Sequence, residues 1–381
     1  MRSDAQSIEA RARTIAVEQS VEMPVAAVSD DFVRDQIVGR VETIAEKQPG
    51  IFEVRIALAI ETVGNDAGQL INMLFGNTSL HEDVMLHDVE LPSELRESFG
   101  GPRHGADELR RRVGASARAL TCSALKPQGL APKALADLAR RFAQGGIDYI
   151  KDDHGLADQA YAPFAERVEA ITAALRGVGP TDGQAALYVP SLSGDLDTMR
   201  RQIAIATQAG VDTVMVAPMI VGLANFHRLV RDNPTLAFIA HPSMAGAARI
   251  APPLLIGKLF RMLGADAVVV PNHGGRFGYS ADTCRALARE ARDKRDGLRP
   301  ALPVPLQRGE PARRHFEIAQ LGLHLRIGKQ HLARYRLEQR AVVFLVGKLV
   351  HVLPTVIPRL AVDLIAARHA PIRIDIASPR P

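Results

Sequence analysis

Amines, carboxylates and imidazoles recur in this sequence at one kind of place, directly after short apolar runs. Lys126-Pro127 follows 120–125, Lys151-Asp152-Asp153-His154 follows 147–150, Ser191 and Ser193 follow 186–189, His241 follows 236–240, and Asn272-His273-Gly274-Gly275-Arg276 follows 267–270. An amine, a carboxylate and an imidazole on one site can take a proton, return it, and neutralise the charge that develops in between. Strand alternation turns Lys151 and Asp153 to one side, and Asp152 and His154 to the other, until the strand ends. Paired glycines such as Gly274-Gly275 can aim backbone N–H groups at a phosphate, and Arg276 would add a charge-assisted contact. Each residue alone has a plainer account as a rim lysine, a rim histidine, an ion pair or a turn. Their shared position is what argues for chemistry.

Parallel strands would carry these residues to one edge. The apolar runs, with another at 213–216, alternate with amphipathic stretches, which is the pattern of βα units. Six clear units and weaker strand candidates at 302–304 and 324–327 make eight, the number that closes a (β/α)8 TIM barrel. A doubly wound sheet competes, but no glycine-rich dinucleotide fingerprint follows the first strand. Ahead of the barrel, residues 1–105 read as a small α+β domain. It has a helix from about Ala5 to Glu18, a strand at Ile51–Ile60, a helix at Asp66–Leu74 and a turn at Gly76-Asn77. Gly100-Gly101-Pro102 marks the junction, Asp107–Val113 a connecting helix, and 106–381 the barrel domain.

Composition excludes several classes. Of 381 residues, 47% are hydrophobic and 23% charged, and no apolar run reaches the roughly 20 residues of a membrane span. The charged N-terminus lacks a secretory apolar core, and Cys122 and Cys284 cannot build a disulfide framework. A cytoplasmic protein without a membrane partner is expected. Trp is absent and aromatics are 4%, which disfavours a stacking platform for nucleic acid. The charge is uneven: 301–381 holds 11 Arg and 2 Lys against 5 Asp plus Glu, so this tail carries +8 and the rest −3. Solvated helix faces account for the tail more simply than an anion-binding surface, since no nucleic-acid motif accompanies it.

The residues resemble a known family. Gly145-Gly146-Ile147-Asp148-Tyr149-Ile150-Lys151-Asp152-Asp153 is similar to the strand-two signature of ribulose bisphosphate carboxylase large chains. Leu125-Lys126-Pro127-Gln128-Gly129-Leu130 resembles their strand-one motif, with Lys126 at the active-site lysine, and His241 matches the strand-five position. Glu18 in Val17-Glu18-Gln19-Ser20 and Asn77 in Phe75-Gly76-Asn77 match residues that reach the partner subunit's site in that family. The resemblance covers about residues 4–305. It implies a ferredoxin-like N-terminal domain before the barrel, here without the first strand ahead of Ala5, and a homodimer with shared active sites.

Several departures argue against carboxylation. The family's Glu after Lys-Asp-Asp is His154, its second strand-one lysine is Gln128, Pro242 replaces the Arg after His241, and the strand-six loop lacks its lysine. The pattern resembles the carboxylase-like, form IV group. For this group the resemblance implies enolate chemistry on a phosphorylated keto-sugar or sugar acid. Lys151 would be carbamylated by CO2 and hold Mg2+ or another divalent ion with Asp153 and His154. Lys126 would be the acid or electrostatic partner, His154 a ligand or base, and His241 a further catalytic group. Glu18, Asn77, Asn272, His273, Gly274, Gly275 and Arg276 would bind substrate. The favoured expectation is decarboxylation or hydrolytic cleavage of a 3-oxo sugar-acid phosphate. The alternatives are a methionine-salvage enolase or isomerase acting on a 5-methylthioribulose-phosphate derivative, and a non-catalytic metabolite binder.

Past Val304-Pro305 the resemblance stops. The glycine-rich phosphate turns of strands seven and eight become Leu306-Gln307-Arg308-Gly309 and Gly328-Lys329, and 341–350 is an apolar stretch foreign to the family. A change of reading frame near codon 305 would account for this, which the alternative frame of the DNA tests.

Overall fold

The computed structural model describes residues 1–115, 118–178, 186–273, 277–294, 296–307 and 342–345, with 306, 307 and 342–345 described as backbone only. They lie in one compact unit, Met1–Val346; the remainder, Gly347–Pro381, is outside the described residues.

Helix α1 (Ile8–Glu18) buries Ile8, Ala12, Ile15 and Ala16, the stripe of a helix with one apolar face. Strands β1 (Arg40–Gln48) and β2 (Ile51–Ala57) pair antiparallel around Gly50, whose φ of 72° is the left-handed conformation glycine adopts without strain. In place of a strand ahead of α1 there is a single antiparallel bridge, Arg2 to Ile51. Helix α2 (Ala67–Phe75) starts at Asp66, whose side chain accepts from Gln69 N at 2.7 Å. Helices α3 (Ser93–Phe99) and α4 (Gly105–Arg112) lead to the barrel. The connection is bolted down by buried Asp266, whose Oδ1 accepts from the N–H groups of His104 and Gly105, both at 2.7 Å.

The βα units then follow in order. They are β3 (Leu120–Leu125), α5 (Pro132–Gln144), β4 (Tyr149–Asp152), α6 (Phe164–Leu175), β5 (Leu187–Val189), α7 (Leu196–Gln208) and β6 (Thr213–Val216). After these come α8 (Pro218–Val221), α9 (Leu223–Asp232), β7 (Ala237–Ala240), α10 (Phe260–Met262, continuing the π-wound Pro253–Leu259), β8 (Ala267–Val270), α11 (Ala281–Arg292), β9 (Leu302–Gln307) and β10 (Val342–Leu345). Parallel strands β3 to β10 form one sheet in the order β5-β4-β3-β10-β9-β8-β7-β6. Its ends meet through a parallel Ser191–Met215 bridge, with Leu192 N donating to Met215 O at 2.8 Å and Met215 N to Pro190 O at 2.9 Å. The sheet is therefore a closed eight-stranded barrel.

The eighth position differs from the sequence expectation. Residues 324–327 lie outside the described residues, and the place between β9 and β3 is taken by Val342–Leu345, with Val342 opposite Leu120 and Leu345 opposite Ser123. Residues 342–345 read Val-Val-Phe-Leu and 324–327 His-Leu-Arg-Ile; short runs of either kind suit a strand, and local pattern alone does not say which closes the barrel.

Strands covered on both faces read as continuous apolar runs. In β7, Ala237 and Ile239 join Cys122, Tyr149, Met215 and Val269 inside the barrel, while Phe238 and Ala240 pack outward against the helices. Among the described residues no helix is long and apolar enough to cross a membrane.

Candidate active site

Register brings the first two reactive groups together. Leu125 and Asp152 end β3 and β4 as direct partners, so the next residues, Lys126 and Asp153, emerge side by side. Lys126 Nζ lies 2.6 Å from Asp153 Oδ2. Asp153 Oδ1 accepts from His154 N at 2.9 Å and lies 3.0 Å from His154 Nδ1. The His154 ring stacks on His241, beyond β7, with centroids 4.4 Å apart and planes 9° from parallel. Ser243 holds His241 from behind, its N–H donating to Nδ1 at 3.3 Å and its Oγ 2.8 Å from the same atom. Lys126, Asp153, His154 and His241 thus form one contiguous cluster at the C-terminal mouth of the barrel, where TIM-barrel enzymes carry their chemistry.

Lys151 lies beneath this cluster, 1% exposed, with Nζ donating to Asp152 O at 2.6 Å. Burial pushes its pKa down to about 8, against the opposing pull of Cys122, Asp153 and Asp152. Burial likewise pushes the Cys122 thiol up to about 12, so it stays protonated inside the barrel. Burial raises the Asp153 carboxyl, but hydrogen bonds from His154 and Lys126, with their charges, outweigh it and hold the group well below the usual carboxylate range. His241 is driven well below the ordinary imidazole value by burial first, then by Lys151 and His154, and is therefore neutral at pH 7.

Alternation puts Lys151 on the same side as Asp153, but the ion pair to Asp153 comes from Lys126 on the neighbouring strand, a pairing that the spacing within the 151–154 motif does not reveal. Asp152 points outward, as alternation predicts. Fully buried, it accepts from Arg167 Nε at 3.1 Å, Tyr188 OH at 2.7 Å and Ser191 N at 3.0 Å. Its role is to anchor β4 to α6 and β5. Asp152→Ala would strand the buried Arg167 guanidinium, and we expect a loss of about 3–5 kcal/mol of stability. Asp153 is also buried, at 6% exposure, but its partners Lys126 and His154 reach solvent and are not stranded by its removal, so Asp153→Ala should cost less, about 1–3 kcal/mol. Urea unfolding of the two variants checks this; equal losses would contradict the assignment.

Asn272 and His273 follow β8 at the same mouth, half-buried and exposed respectively, while Gly274, Gly275 and Arg276 are outside the described residues. Glu18 and Asn77 come together away from the barrel strands, Asn77 Nδ2 donating to Glu18 Oε1 at 2.9 Å. No hydrogen bond among the described residues joins this pair to the Lys126–His241 cluster. The sequence reading passed over Ser243, although a hydroxyl two residues after an imidazole was visible. It also passed over the close packing of Gln128 on Gly155, where a Cβ would collide with the Gln128 amide.

Comparison with known proteins matches this architecture to a family. Residues 105–294 match the ribulose bisphosphate carboxylase large chain, catalytic domain. The chain is 61% identical over 306 residues to 5-methylthioribulose-1-phosphate isomerase of Rhodospirillum rubrum, covering 80% of this chain and 82% of that protein. It is 33% identical over 262 residues to 2,3-diketo-5-methylthiopentyl-1-phosphate enolase of Geobacillus kaustophilus, covering 66% and 63%. The crystal structure of a Rubisco-like protein from Rhodopseudomonas palustris superposes with a TM-score of 0.79 at 49% identity, covering 90% of this chain and 91% of that one. With a matching barrel and a relative this similar along most of both chains, the protein belongs to the ribulose bisphosphate carboxylase large-chain family, as a carboxylase-like, form IV member and not a carboxylase.

Proposed function

We propose that this protein is an isomerase of 5-methylthioribulose 1-phosphate or a close phosphorylated ketose, working through an enolate. The observation that carries the reading is the Lys126–Asp153–His154–His241 cluster set over the buried Lys151. It places proton donors and acceptors around one space at the barrel mouth. The substrate follows from the activity named for the Rhodospirillum relative. The enolase named for the Geobacillus relative belongs to the same methylthio-sugar chemistry. Together they favour the methylthioribulose alternative over cleavage of a 3-oxo sugar-acid phosphate, which the sequence alone put first.

In an isomerisation of this kind a proton leaves a carbon beside the ketone, and the C–H electron pair becomes the enolate π bond. A proton is then delivered to a different carbon, so no atom is gained or lost. Lys126, paired to Asp153 at 2.6 Å, is placed to donate to the enolate oxygen or to the receiving carbon. Neutral His241, its Nδ1 taken by the Ser243 N–H, offers Nε2–H as a second hydrogen-bond donor. His154, bonded through Nδ1 to Asp153, turns its other nitrogen to the mouth as base or ligand. Glu18 and Asn77 would close a partner subunit's site in a homodimer, and Asn272, His273 and the 274–276 segment would hold the phosphate end.

The family's cofactor is a divalent ion held through a carbamylated lysine, and these residues fit it on one condition. Among the described residues His, Cys, Asp and Glu alone form no group of three able to hold a metal. A site would therefore draw on oxygens that CO2 brings to Lys151, whose uncharged amine can add it, forming an N–C bond and releasing a proton. Asp153 and His154 would complete it, and Mg2+ or a softer divalent ion would stabilise the enolate oxygen when bound. A nitrogen ligand in place of a carboxylate favours the softer ions.

Turnover of 5-methylthioribulose 1-phosphate, 2,3-diketo-5-methylthiopentyl 1-phosphate and 3-oxo-isoapionate 4-phosphate, compared as kcat/KM, tests the choice of substrate. The ketose should lead by at least about 1,000-fold, more than one small pocket contact confers. A lead for the sugar-acid phosphate would restore the cleavage reading.

A further inference from the structure

Behind the Glu18–Asn77 pair lies a side chain that neither the charge pattern nor the resemblance singled out. Gln19 is 7% exposed and follows Glu18 directly at the end of α1. Its Oε1 accepts from Thr78 N at 3.0 Å and from Thr78 Oγ1 at 2.7 Å. Its Nε2 donates to Met73 O at 2.7 Å and to Asn72 O at 3.2 Å. A primary amide has two N–H donors and an oxygen with two lone pairs, so Gln19 spends its full capacity here. Its orientation is dictated as well. Two carbonyls require the nitrogen and a backbone N–H requires the oxygen, which leaves no alternative flip.

All four bonds end on the segment that presents Asn77. Asn72 and Met73 close the last turn of α2, and Thr78 follows Asn77 in the short helical turn Asn77–Leu80. Glu18 and Asn77 each stand one residue before a member of this clamp, so the buried amide sets the separation at which Asn77 Nδ2 meets Glu18 Oε1. We propose that Gln19 is the positioning residue of the substrate-binding pair Glu18–Asn77, holding the carboxylate and amide in the one arrangement that reaches substrate. This rests on the assignment of that pair to substrate binding under the proposed function. Misplacement by about 1 Å can cost a site on the order of 100-fold in rate, so the clamp has leverage on turnover without touching substrate.

A double-mutant cycle tests it in the full-length protein. Gln19→Met keeps the volume and removes all four bonds; Gln19→Glu keeps an acceptor for Thr78 but sets an anion against two carbonyls, and replaces Gln19→Met if that variant does not fold. With 5-methylthioribulose 1-phosphate, Gln19→Met should lower kcat/KM by about tenfold or more. The Gln19→Met/Asn77→Ala double variant should lose clearly less than the product of the two single losses, because the clamp acts through the pair that Asn77 completes. Losses that multiply, or a Gln19→Met protein with wild-type turnover, would overturn the proposal. A second readout needs no activity. In protein labelled with 15N at asparagine, the Asn77 side-chain amide signal, identified by its loss in Asn77→Ala, should shift or broaden in Gln19→Met. An unchanged signal sinks the clamp. A changed signal with Asn77→Ala at wild-type turnover sinks the substrate-binding assignment, and with it the proposed role.

Discussion

Lys151→Met should lose at least about 1,000-fold in kcat while remaining folded. Removing a group that holds or transfers the proton in the transition state typically costs 10² to 10⁴, and here the same amine is where CO2 would attach to supply the carbamate oxygens. Methionine fills the barrel without a charge, so it deletes the chemistry and also the desolvation cost of a buried amine. Its melting temperature should equal or exceed that of the wild type. A fall in stability matching the fall in activity would mean that Lys151 is structural.

The Lys151 pKa of about 8 also sets how activation depends on pH. Only the neutral amine adds CO2; about a tenth is neutral at pH 7 and about three quarters at pH 8.5. At fixed dissolved CO2, activation should therefore be several-fold faster at pH 8.5. For stability the sign follows from a folded-state pKa lying below the ordinary 10.5. The unfolded chain binds more protons between about 8 and 10.5, so this group's contribution rises with pH across that window.

Lys126→Met carries the second large effect. The ammonium 2.6 Å from Asp153 is both the candidate acid and the neighbour that helps keep Asp153 ionised. Its loss should reduce kcat by 10² to 10⁴, typical of a deleted general acid. Stability should fall by about 1–3 kcal/mol, since the buried Asp153 loses one charged hydrogen-bond partner and keeps His154. Chemical rescue separates roles: added ethylamine should restore part of the activity of Lys126→Ala, whose side chain leaves room for it. A Lys126→Met protein retaining more than a tenth of wild-type kcat would place the acid elsewhere, with His241 next in position.

How much of this was legible in the sequence depends on what fixes each feature. The strands at 120–125 and 267–270 are buried on both faces and announce themselves as apolar runs, and the residues after them become the mouth of the barrel. Strand β1 is hidden because its residues are almost all solvent-facing, leaving no alternation to read. The eighth strand was misplaced because closure is decided by which segment pairs with Leu120–Ser123, a long-range choice that no local pattern records. The site divides in the same way. Lys126, Lys151, Asp153 and His241 could be named from their positions after apolar runs. That Lys126 rather than Lys151 holds Asp153 follows from the Leu125–Asp152 register. The Gln19 clamp spans 53 to 59 residues of chain and is invisible without the fold.

The central claim, proton transfer through an enolate at the Lys126–Lys151 mouth, meets its most direct test in D2O. Purified protein would be incubated with Mg2+ or Mn2+, bicarbonate and 5-methylthioribulose 1-phosphate, and the substrate followed by NMR. The account predicts conversion to an isomer with deuterium entering at a carbon beside the ketone, and neither change with Lys151→Met. Folded wild-type protein that binds the sugar phosphate yet neither exchanges deuterium nor converts it would contradict the account and leave a binding protein in place of an isomerase.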